Sequence, residues 1–222
     1  MAEICLDMKI RTREELNERL TDEIAWRKKE LSILRETIDS LRTAPIKQKA
    51  LIRCGVPILY AHWEGFVKIA ATTYLCYIAG KRHNYNELST SFVALSMKAK
   101  MALAAETRRA TIFIPIAEFF IRGLSERAII PYEDAISTQG NLSSRVFKDI
   151  VRILSLEYSD YELKDKFIDE KILRRRNMIA HGRDDIIDYN EYVSVHNEVI
   201  ALMDAFKTQI ENAALLKNYL RR

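Results

Sequence analysis

The chain has 222 residues, 48% apolar and 30% charged, enough for one sizeable core and too apolar for a disordered chain. Its 6 glycines and 4 prolines stand where average usage would give roughly 27 of the two together. That excludes collagen-like and low-complexity classes and argues against a β-sandwich or barrel, whose tight turns use both residues. A net charge of +4 and a pI near 8.9 permit a nucleic-acid partner without requiring one.

A first long helix is expected from about Thr12 to Arg42. Thr12 is a plausible N-cap, and Glu14 and Glu15 fall in the first turn, where the helix dipole favours anions. Leu16, Leu20, Ile24, Leu31, Leu34, Ile38 and Leu41 recur at helical spacing, so one face is apolar and the rest charged. Ala44-Pro45 marks a break. A second helix follows, about Ile46 to Ala79, with Gly55 and Pro57 inside it and a kink expected near Val56. Beyond the kink it is apolar nearly all round, as a central helix would be.

Gly80 to Thr90 reads as a turn, Ser91 to Glu106 as a third helix, and Arg108 to Gly123 as a fourth kinked at Pro115. Leu124 to Ser144, with Pro131 and Gly140, looks irregular. Short helices are expected over 144–156 and 160–182, and a last one after Asp188-Tyr189-Asn190, running to the C-terminus. No strand, repeat or linker stands out, so the reading is all-α and one domain over 1–222.

Cys5, Cys54 and Cys76 are odd in number and form no C-x-x-C pair, as expected of reduced thiols in a cytoplasmic protein. The N-terminus has no apolar signal-peptide core. The most apolar stretch, Val56 to Gly80, contains His62, Glu64 and Lys68 and leaves only about 12 charge-free residues, against about 20 for a membrane span. No phosphate-cradling glycine loop, zinc spacing or nucleophile elbow occurs. No metal or cofactor is therefore expected. Only four histidines are present, His62, His83, His181 and His196.

The segment Lys171 to Arg183, KILRRRNMIAHGR, carries the chemistry. On a helix at about 100° per residue, Ile172, Leu173, Ile179 and Ala180 all fall within about 60° of Arg176. A guanidinium in the middle of an apolar arc must be paired, or must line a cleft or an interface. Asn177 and His181 lie on the shoulder of that arc, four residues apart. Gly182 follows as a natural C-cap, which puts His181 at the negative end of the helix dipole. Arg174 and Arg175 point elsewhere and would add positive potential.

Arg176-Asn177-x-x-x-His181 resembles the R-x(4–6)-H signature of the HEPN superfamily. LYAHWEGFVK at Leu59–Lys68 is similar to the second helix of stand-alone bacterial HEPN proteins. The resemblance covers roughly residues 45–80 and 165–215. It implies an all-α, HEPN-type bundle of long antiparallel helices, and a homodimer whose motif helices face each other across one cleft. The implied activity is metal-independent RNA cleavage in a toxin or defence effector, with a cognate antitoxin or defence-system protein as a further partner.

RNA brings its own nucleophile, the 2′-OH, so the protein need supply only proton transfer and a cation for the crowded phosphate. His181 would be the general acid/base, Arg176 would hold the phosphate, and Asn177 would orient His181 or the substrate. Products would be a 2′,3′-cyclic phosphate and a 5′-OH. The alternative is a non-catalytic HEPN module that binds a nucleotide or a protein, and a purely structural dimer is a third reading.

Glu64 either pairs with Lys68 along the helix or reaches Arg176 and fixes it. His62 reads as a core or interface residue, Trp63 and Phe66 as core, His83 and His196 as surface. Tyr158, Tyr161, Tyr189 and Tyr192 flank the motif and could stack on bases, with packing the plainer reading.

Overall fold

The computed structural model describes residues 9–105, 109–185 and 187–221. Cys5 and the expected helix ends at Glu106 and Arg108 lie outside these. Helix α1 spans Arg13–Ser40 and begins where Thr12 marks it. The Thr12 hydroxyl accepts from the Glu15 amide at 3.1 Å, and the Glu15 carboxylate accepts from the Thr12 amide at 3.1 Å. This reciprocal pair satisfies donors that no helical carbonyl reaches.

Pro45 opens helix α2 (Pro45–Lys81) in its first turn, where its missing N–H costs nothing. The helix continues through Gly55 and Pro57, so the proline does not divide it. Gly55 has a packing reason: a Cβ there would meet the Tyr192 ring at 2.8 Å. Its absence lets the last helix, α7 (Tyr189–Leu215), lie close against α2.

Helices α1, α2 and α7 pack mutually and form the core. Leu20, Ile24, Trp63, Phe66, Val199 and Phe206 are buried there. The charged side of α1 is not wholly solvated. Glu23 and Arg27 are buried and paired, and Glu23 also bonds Arg19 and the Trp26 indole.

The middle of the chain is a lighter layer. Helix α3 covers Thr90–Ala105. A 3₁₀ turn, Ala110–Phe113, leads into helix α4, Ile114–Arg122. Pro115 sits in the first turn of α4, so it starts a short helix where a kink in a longer one was expected. Phe119 alone in α4 is buried, edge-on to Tyr85 at 4.9 Å. From 126 to 143 the chain has no helix, and it is pinned to the end of α2 by the Ala128 amide donating to the His83 carbonyl at 2.9 Å. Among the described residues there is no strand, only isolated bridges such as Asn84 with Arg127 and Leu88 with Leu220.

Helix α5 is Ser144–Ile153, capped by Ser143. A 3₁₀ turn, Ser159–Lys164, follows, then a π-helical stretch, Phe167–Arg174, which runs directly into helix α6, Arg175–Ala180. Helix α7 starts one residue after its cap Asp188, earlier than expected, and stops at Leu215 short of the C-terminus. No described helix is long and apolar enough to cross a membrane.

His196 is a correction to the surface reading. It is 2% exposed between α7 and α1, with its ring nitrogens against the Leu31 carbonyl (3.3 Å) and Asn197 (3.2 Å). Burial pushes its imidazole below the usual histidine range. Its spacing placed it on a helix, but only the approach of α1 covers it. His83 is half-buried beside Glu87. His62 is buried at the α1–α2 contact, against Trp26 and Glu30, and burial lowers it too. Tyr158, Tyr161 and Tyr192 are buried. Tyr189 is half-buried and donates to Asp39 at 2.6 Å.

Candidate active site

The π-helical turn sets the phase of the motif. Its wider winding means that the regular 100° wheel drifts through 167–174 and holds again from Arg175. Arg176 then faces α2 and is half-buried, as its place in the apolar arc predicts. Its guanidinium lies over the Tyr60 ring at 4.6 Å. Nη1 donates to Asn141 Oδ1 at 2.9 Å and to Asn177 Oδ1 at 2.6 Å. Both acceptors are neutral, and among the described residues no carboxylate reaches ion-pair distance of Arg176. Its charge is therefore oriented without being neutralised.

Tyr60 is the platform, 1% exposed on α2. Its hydroxyl accepts from the Leu142 amide at 2.6 Å, which ties the 126–143 segment to α2 next to Asn141. Gly140, at φ +80°, makes the turn that presents Asn141. Burial raises the Tyr60 phenol to about 12; the Leu142 amide opposes that shift and the Glu64 charge adds to it. Glu64 thus acts on Tyr60. No ion pair joins Glu64 to Arg176 or to Lys68 among the described residues.

Helix α6 ends in a Schellman motif. The Gly182 amide donates to the Ile179 carbonyl at 3.0 Å and the Arg183 amide to the Met178 carbonyl at 2.9 Å. Gly182 has φ +71°, which confirms its reading as the cap. His181 sits at that end, exposed. Arg53 of α2 donates to the Arg183 carbonyl at 2.5 Å and fastens the loop. An open groove of about 460 Å³ is lined by Asp169, Arg174, Asn177, Met178, His181 and Arg183, with Leu173. Asn177 joins the two halves, since it accepts from Arg176 and lines the groove with His181. Asp169, the carboxylate among these lining residues, is engaged elsewhere. It accepts from the Ser144 amide (2.7 Å) and hydroxyl (2.6 Å) and holds the start of α5.

Arg174 is exposed and lines the groove. Arg175 is not a free cation. Its side chain is 15% exposed, with Nη2 on Glu191 Oε1 at 2.7 Å and Nε 3.9 Å from Asp185. Lys171 shares Glu191 at 2.8 Å. Lys171 and Arg175 hold the Glu191 carboxyl below its usual range, the Lys171 bond first.

Tyr60, Asn141 and Arg183 were missed as contributors. Tyr60 lies inside the segment that carried the resemblance, but nothing local marks its ring as a cation platform. Asn141 is 35 residues from Arg176 in the chain and leaves no local signal. Among the described residues no group of three or more His, Cys, Asp or Glu gathers as metal ligands would.

Comparison with the curated proteins and with the solved structures finds no match. The family model for RiboL-PSP-HEPN matches residues 22–212, a span that holds most of α1, all of α2, the Asn141 turn and the whole motif helix. The bundle that sets Arg176 on Tyr60 is thus also the matched span, and the chain belongs to the RiboL-PSP-HEPN family of the HEPN superfamily.

Proposed function

We propose that this chain is a metal-independent endoribonuclease that works as a homodimer, within a family whose fold implies a ribonuclease-like or nucleotide-binding module. One observation carries the reading. Arg176 is held by an aromatic face and two amide oxygens, with no carboxylate at ion-pair distance among the described residues, and Asn177, which accepts from it, lines a groove together with an exposed His181. A cation oriented by neutral groups keeps its full charge for a phosphate, which it can grip with two N–H groups. A histidine titrates in the range proton transfer needs.

In the reaction, the 2′-OH attacks the adjacent phosphorus and gives up its proton while the 5′-oxygen leaves and gains one. The phosphoryl charge builds beside Arg176. His181 serves one of the two proton transfers. With Asp169 committed to Ser144, the described residues lining the groove of one chain offer no second group, and a two-fold copy would bring its own His181 to serve the other. Action as a toxin or defence effector, with an antitoxin or defence-system partner, belongs to the same proposal.

The test is RNA cleavage in EDTA by the wild type beside Arg176→Ala and His181→Ala, each first shown to be a folded dimer. Cleavage by the wild type alone, with 2′,3′-cyclic phosphate ends, is the expected result. Intact RNA across several RNA types, with a nucleotide or protein that co-purifies, would instead identify a binding module.

A further inference from the structure

We propose that the basic pocket at the far end of α2 is a second RNA contact, which grips the strand at a distance from the motif helix. The cavity measures about 630 Å³, and among the described residues its lining includes Arg11, Arg82, Arg127 and Lys9 and no acidic residue. Three separate segments build it. The first is the chain before α1. It lies so close to α2 that a Cβ on Gly80 would meet the Ile10 carbonyl oxygen at 2.7 Å, and Lys81 Nζ donates to the Arg11 carbonyl at 3.0 Å. The second is the end of α2, where Arg82 holds a left-handed φ of +62°. The third is the stretch from Arg127 to Tyr132, pinned by the Ala128 amide on the His83 carbonyl and the Asn84–Arg127 bridge.

Cations at a helix C-terminus complement the dipole, and that alone accounts for Lys81 and Arg82. It does not account for Arg11 and Arg127, which arrive from the other two segments. Among the described residues Arg11, Arg82 and Arg127 form no ion pair. Glu15 is the carboxylate beside Arg11, and it is taken up by the Arg11 and Thr12 amides. Behind this rim the walls are apolar, with Ala79, Ala128 and Ile130. Cations at the rim suit phosphates and an apolar wall suits a base.

This inference rests on the ribonuclease reading and adds a substrate class to it. Arg176 lies over Tyr60, and Gly80 is twenty residues further along α2, about 30 Å at 1.5 Å per residue. An RNA that uses both sites must be long enough, or folded, to bridge that span.

The experiment compares a trinucleotide with a mixed-sequence RNA of roughly 25 nucleotides. Affinity is measured by fluorescence anisotropy in the His181→Ala background, and cleavage with His181 intact. In the double variant Arg82→Glu/Arg127→Glu the long RNA should bind at least about tenfold more weakly. Its salt dependence should fall by roughly 0.7 in log–log slope per cation removed. Trinucleotide cleavage should not change, and Arg82→Lys/Arg127→Lys should keep the affinity. If the glutamates unfold the chain, Arg82→Gln/Arg127→Gln gives the same comparison. Unchanged long-RNA affinity, or equal weakening for both lengths, overturns this inference and leaves the ribonuclease reading standing. A wild type that neither binds nor cuts either RNA removes both.

Discussion

Arg175 and Arg176 leave one helix a residue apart, about 100° round its axis, toward two unlike surroundings. Arg175 meets Glu191 and Asp185 in a cluster that Lys171 completes. Arg176 meets the face of Tyr60 and the amide oxygens of Asn141 and Asn177. The first arrangement consumes the charge to fasten α6 to the start of α7. The second fixes the direction of the charge and leaves its sign uncompensated. Equal residues in adjacent positions thus differ in whether carboxylates take up their charge, and the division is made by what each side of the helix packs against.

The sharpest way to break this comparison is to truncate each arginine in turn. Arg176→Ala should lower RNA cleavage by about 10²–10³ and move the urea midpoint little. Arg175→Ala should cost on the order of 2 kcal/mol of stability, because it strands partly buried carboxylates, while the folded fraction still cleaves. Cleavage assays beside urea melts check both, and a reversed pattern would sink the assignment.

The Arg175 side also has a pH signature. Glu191 is held below its usual range in the folded chain, so it binds fewer protons there than when unfolded. Its contribution is present above the unfolded pKa of about 4.3 and is lost as pH falls through the folded value. Wild type should therefore exceed Glu191→Gln in stability near pH 7, and the gap should close in melts taken below about pH 4.

On the Arg176 side, Asn141→Asp replaces a neutral acceptor with an anion at the same place. RNA affinity should fall about tenfold through lost charge, while thermal stability holds or rises. Tyr60→Phe gives the smallest effect. It keeps the ring under Arg176 and deprives the Leu142 amide of its acceptor, at about 1–2 kcal/mol. The melting temperature should drop, with cleavage falling less than in Asn141→Asp.

Much of this was legible in the chain itself. Thr12 as a cap, the apolar face of α1, Gly182 as the end of α6 and the inward, half-buried orientation of Arg176 all follow from local rules of capping and periodicity, because their causes lie within a few residues. The motif and the LYAHWEGFVK segment pointed to the superfamily that the family match bears out. What was not legible depends on partners distant in sequence. His196 is buried because α1 lies over it. Arg175 is neutralised because the start of α7 brings Glu191 back to it. The cradle of Arg176 needs Tyr60 from α2 and Asn141 from a loop, joined through the Leu142 amide. The sequence by itself determined the two long N-terminal helices, the caps at Thr12 and Gly182 and the identity of the motif, since each rests on short-range hydrogen bonding and spacing. Only the tertiary structure decided which arginine keeps its charge, since that depends on which groups the packing of α2, α7 and the 126–143 loop sets around each guanidinium.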